Sequence, residues 1–105
     1  MTYYPRLYLN TEFEIVEAFG EVSAVSVGGD KNDYNGVVLL KNETARFMFE
    51  KLQEGITLPE LIKVCMDKYQ AKVEDVGPNV IAFLDELKAK NLLAVDTTKG
   101  VKFDD

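Results

Sequence analysis

No histidine and no tryptophan occur in this sequence. The first absence removes the side chain most often used as a general base near neutral pH, and with it the commonest transition-metal ligand. Cysteine occurs once, as Cys65. A lone cysteine closes no internal disulfide, which fits a reducing compartment. A nucleophilic thiol needs a neighbouring base or a lowered pKa, whereas Cys65 falls on an apolar stripe, where a free cysteine acts as a small buried hydrophobe. Basic residues are also scarce: 12 Lys and Arg stand against 18 Asp and Glu, a net charge of −6. Nucleic-acid affinity comes largely from Lys and Arg neutralising phosphates, so this balance argues against a DNA or RNA partner. No apolar run approaches the roughly 18 residues of a membrane span. The opening residues, Met1 to Arg6, lack the basic and apolar segments of a secretory signal. The expectation is a cytoplasmic protein without catalysis, metal or organic cofactor.

What is present describes one folded unit. The 105 residues are 47% hydrophobic and 29% charged, a balance that supports a single core rather than disorder. Periodicity changes along the chain. Residues 12–18 alternate around Phe13 and Ile15, and Gly20 marks a turn. In residues 21–27, Val22, Ala24 and Ser26 share one face and Ser23, Val25 and Val27 the other. Gly28 to Asn35 is a turn-rich connection, and Val37-Val38-Leu39-Leu40 is a third, short apolar strand. From Asn42 onward the spacing is helical. Asn42 is a good N-cap, Ala45, Met48, Phe49 and Leu52 share a face, and Gly55 is a stop signal. Thr57 and Glu60 form a capping box, with Pro59 in the first turn and Leu58, Leu61, Ile62, Cys65 and Tyr69 as the stripe. A third helix spans about 74–91 on Val76, Val80, Phe83, Leu84 and Leu87, and Pro78 points to a start as late as Gly77. Strands followed by helices imply an α+β domain over residues 1–95, with a polar tail at 96–105 expected to be flexible.

Three motif-like features fail on their chemistry. Asp30, Asn32, Asp33 and Asn35 suggest a calcium loop, but a loop opened at Asp30 places Tyr34 and Asn35 where an oxygen ligand and the invariant glycine belong. Gly28-Gly29 precedes a strand, whereas a phosphate loop needs a helix N-terminus facing the anion. The pairs Asp85-Glu86 and Asp104-Asp105 read as solvated surface. A winged helix-turn-helix DNA-binding regulator is the main alternative. Its third helix would enter the major groove with Glu74 and Asp75 leading, and its lysines, Lys88 and Lys90, at the far end.

Several residues in order carry a family likeness. Leu39-x-x-Asn42-Glu43-Thr44-Ala45 opens a helix after three strands, with Phe49 and Leu52 following. Gly55-x-Thr57-x-x-Glu60-Leu61 links to a second helix, Tyr69 follows, and Val80-x-x-Phe83-Leu84-x-x-Leu87 lies in the third. Together with Tyr34-Asn35-Gly36 before the third strand, this series resembles the PqqD family over about residues 12–94. Asn79 stands where that family has Asp. The resemblance implies a three-stranded antiparallel sheet followed by three helices, similar to a winged helix-turn-helix. It also implies a peptide chaperone that binds the leader of a ribosomally made precursor peptide. Such a protein presents the leader to a partner, often a radical SAM enzyme, as in pyrroloquinoline quinone (PQQ) biosynthesis. Carried onto this chain, Val37, Val38, Leu39 and Leu40 give the backbone edge, and Val76, Val80, Phe83 and Leu87 the apolar wall. About a third of these are expected to touch a ligand, because a helix presents only part of its stripe to any one neighbour. A homodimer made through the same strand edge is a further alternative.

Overall fold

A computed structural model describes residues 2–10, 12–26 and 37–103. The turn-rich connection at 28–35, with its rejected calcium and phosphate motifs and the Tyr34-Asn35-Gly36 element, lies outside the described residues. The element order is β1 (Thr2–Leu9), β2 (Phe13–Ala18), β3 (Glu21–Ser26), β4 (Val37–Leu40), α1 (Glu43–Glu54), β5 (Ile56–Thr57), α2 (Leu58–Tyr69), α3 (Val73–Ala89) and β6 (Leu93–Phe103). The protein is therefore α+β, with the expected three-stranded antiparallel sheet, in the order β2-β3-β4, followed by three helices.

That sheet is built by alternation. Ile15, Ala24 and Val38 stand in register across the three strands, as do Glu17, Val22 and Leu40. Ala24, Val38 and Leu40 are buried. The opposite pleat carries Val16, Ser23 and Leu39 in one row and Glu14, Val25 and Val37 in the next. The β2–β3 turn is Phe19-Gly20, both at positive φ, as a two-residue type I′ hairpin requires.

The helices begin where the caps place them. The Asn42 side chain accepts from the Ala45 N–H at 2.8 Å, and the Gly55 N–H closes α1 onto the Leu52 and Lys51 carbonyls. In α2 the Thr57 hydroxyl accepts from the Glu60 N–H, and the Glu60 carboxylate accepts from the Thr57 N–H at 3.1 Å. The core gathers Phe13, Met48, Phe49, Leu52, Leu61, Cys65, Val80, Leu84 and Leu87. Phe13 meets Phe49 edge to face, with ring centroids 5.2 Å apart.

Two expectations are corrected. First, α3 begins at Val73, within a residue of the expected 74, and Pro78 lies inside it without displacing the start to Gly77. Proline at that depth removes one hydrogen bond to the carbonyl four residues back. Pro78 and Glu74 both lie on the solvent side, where water can satisfy that carbonyl. Second, of the segment expected to be a flexible tail from Asp96, residues 96–103 belong to strand β6, paired antiparallel with β1 in a second sheet ordered β5-β1-β6. The local pattern hides this strand because its register shifts. Tyr4 pairs with Val101 and Arg6 with Asp96, so Thr97 to Gly100 loop out opposite Pro5. Pro5 has no N–H to give the ladder. The Asp96 carboxylate accepts from both the N–H and the hydroxyl of Thr98, and these bonds hold its pKa below the ordinary carboxylate value. Arg6 ties this sheet to α1, donating to the Glu54 carbonyl at 2.6 Å.

Candidate functional site

The strand β4 is short and apolar, and its pleat divides its side chains. Val38 and Leu40 are 3% exposed, whereas Val37 and Leu39 are 57% and 47% exposed. Among the described strands β3 is its only neighbour, so β4 forms one margin of its sheet. An edge strand carries a row of backbone groups that an extended chain can pair with.

Beside that margin runs a groove of about 320 Å³. One end is Leu39 with Lys41 and Asn42, where the chain leaves β4. Thr44, Ala45 and Met48 of α1 form a second wall. The third wall is α3, through Asn79, Ala82, Phe83 and Glu86. The Asn42 cap fixes the direction of α1 and so the position of this wall. The groove is thus apolar at Leu39, Ala45, Met48, Ala82 and Phe83, with Lys41 and Glu86 as charges of opposite sign. A strand margin thus lies next to a partly apolar groove whose far wall is a helix.

The sequence-expected wall is only partly in this groove. Leu39 and Phe83 line it. Val38 and Leu40 point into the core, and Val76, Val80 and Leu87 are buried as well. Val37 is exposed one residue pair away, across from Val25. The residues that sequence reasoning missed on α3 are Asn79, Ala82 and Glu86. With Phe83 they fall at i, i+3, i+4 and i+7, a second helical stripe beside the buried one. That spacing is the signal that could have found them.

Cys65, the lone cysteine, is not among the residues that line the groove. Cys65 is buried, and desolvation pushes its thiol pKa up, away from thiolate. Among the described residues, no group of three or more His, Cys, Asp or Glu is placed to hold a metal ion.

The sequence matches the family model described as coenzyme PQQ synthesis protein D over residues 30–93. The chain belongs to the PqqD family. The match takes in β4, all three helices and every groove residue. β1, β2, β3 and nearly all of β6 fall outside it, so the PqqD match covers the groove walls and, of the second sheet, only β5 and the first residue of β6. No curated protein and no solved structure matches the chain. No helix among the described residues is long and apolar enough to cross a membrane.

Proposed function

We propose that this PqqD-family chain is a non-catalytic peptide chaperone. It binds the leader of a ribosomally synthesised precursor peptide by strand addition to β4 and presents it to a modifying enzyme of the radical SAM type. The observation that carries this reading is the open margin of β4 directly beside a groove walled by α3. Backbone pairing supplies affinity that is blind to sequence, each net hydrogen bond contributing about 0.5–1.5 kcal/mol. Ordering each peptide residue costs about 1–2 kcal/mol, so backbone pairing alone roughly cancels. Discrimination and net affinity then come from side chains meeting Leu39, Met48, Ala82 and Phe83. The buried, unactivated Cys65 and the absence of histidine from the sequence support the non-catalytic part.

A DNA-binding role fits less well. The solvent-facing residues of α3 include Glu74, Asp75, Asp85 and Glu86, on a chain of net charge −6. A titration with the precursor peptide encoded beside the gene tests the proposal. Amide signals of 37–40 and 79–86 are expected to shift together and saturate. Absence of binding to every neighbouring precursor, or a low-salt mobility shift with DNA, overturns it.

A further inference from the structure

A second, smaller cavity of about 140 Å³ lies between α1, α2 and α3. Thr44 and Asn79 stand in its wall and in the wall of the groove, so the two are neighbours. Its remaining surface is largely apolar, from Cys65, Ala71, Val76 and Val80, with Asp75 at the side. Tyr69 completes the wall, and its hydroxyl is buried with no hydrogen-bond partner among the described residues. The Tyr69 ring has two further neighbours. Phe47 meets it edge to face at 6.0 Å, and the Lys68 ammonium sits 5.8 Å from its centroid. Asn79 is engaged too, donating to the Asp75 carbonyl at 3.0 Å.

We propose that this cavity is an anchor pocket for one phenol-type side chain, a tyrosine of the incoming peptide. The proposal rests on the peptide-binding reading above and adds to it the identity of one anchor residue. Three observations select the occupant. The volume is close to that of a protein cavity known to hold benzene, about 150 Å³. The lining is apolar enough that an ammonium or carboxylate entering it would lose most of its hydration. A purely aliphatic or phenyl group would fill the space but leave the Tyr69 hydroxyl unpaired, the outcome that buried polar groups avoid. A phenol fills the space and exchanges a hydrogen bond with Tyr69. A chain laid along the groove past Phe83 and Asn79 arrives at the mouth of the cavity, so the anchor is one residue at the α3 N-terminal end of the bound segment.

The test uses the full chain and three small probes: phenol, benzene and n-butylamine, followed by amide signals of Val76 and Val80. Saturable shifts with phenol are expected, and about tenfold weaker ones with benzene, the worth of one hydrogen bond. Tyr69→Phe should erase the preference for phenol while leaving benzene binding in place. Ala71→Leu, which fills the cavity without touching the groove, should abolish both. Equal binding of phenol and benzene, tighter binding of butylamine, or no saturation by any probe (a cavity holding water only) overturns the proposal. With the precursor peptide, both variants should weaken binding about tenfold while signals of 37–40 still shift. Precursor affinity unchanged in both variants sinks the anchor and leaves the peptide reading standing. Failure of the unaltered chain to bind precursor sinks the peptide reading, and the anchor role with it, whatever the probes show.

Discussion

Leu39 and Leu40 are adjacent residues of the same type, and the pleat of β4 gives them opposite exposures, so the proposed function predicts different roles for them. Truncating each to alanine separates recognition from folding. Leu39 is 47% exposed in the free protein, so about half of its surface remains to be covered when a peptide docks. Full burial of a leucine side chain is worth about 1.5–3 kcal/mol, which leaves roughly 0.7–1.4 kcal/mol for the complex. At about 1.4 kcal/mol per tenfold, Leu39→Ala should raise Kd for the precursor about three- to tenfold, and its effect on stability should stay within about 0.5 kcal/mol. Leu40 is 3% exposed and already packed. Leu40→Ala should cost about 2–5 kcal/mol of stability, while the molecules that remain folded bind with nearly unchanged Kd. Urea denaturation reads the stability; with a slope of about 1–3 kcal/mol per molar, the midpoint for Leu40→Ala should drop by at least about 0.7 M. Calorimetric titration below that midpoint reads Kd. The reasoning is refuted if the two variants change Kd alike, or if Leu39→Ala leaves Kd untouched.

Further outcomes follow from single contacts. Thr57 is buried and both accepts and donates in the α2 capping box, so Thr57→Ala should lower stability by about 1–2 kcal/mol in a denaturation curve. Gly55 has φ +91, and a Cβ there would strike the Arg6 guanidinium. Gly55→Ala should therefore cost about 1–3 kcal/mol and loosen the Arg6–Glu54 bond, seen as faster amide exchange in β1 and β5. The Cys65 thiol has its pKa raised in the fold by desolvation. The folded state therefore favours the protonated form. That contribution is intact below the unfolded thiol pKa and declines as pH rises through the folded one. A stability–pH curve should fall on the alkaline side, the fall should flatten in Cys65→Ala, and alkylation of the native protein should track unfolding.

The capped helices and the β2–β4 strands were legible because each rests on neighbours a few residues away. Asn42, Gly55, Thr57 and Glu60 are local signals, and the structure uses them as such. The groove was half legible. Hydropathy identifies the stripe of α3 that faces the core, so it selected Val76, Val80 and Leu87, which are buried. The stripe that faces the groove holds Asn79, Ala82 and Glu86, which hydropathy leaves out; only Phe83 belongs to both readings. The second sheet was not legible. Its pairs join residues at the two ends of the described chain, such as Thr2 with Phe103. Its strand β6 is interrupted by Thr97 to Gly100, which read locally as part of a polar tail. Such pairing is set by distant partners, and no short window contains it.

A protein that lends one raw border of pleated backbone to a visitor runs the hazard of zipping to its own copies along every other border. On this molecule the outer flank of β6 is the longest such border, and it is broken by the looped-out residues 97–100 with Lys99 at their centre. Interruptions and lysines of this kind are how sheets discourage end-to-end stacking. The irregular stretch opposite Pro5 breaks the even ladder of that border, which under the proposed function would leave the regular margin of β4 as the better seat for a guest.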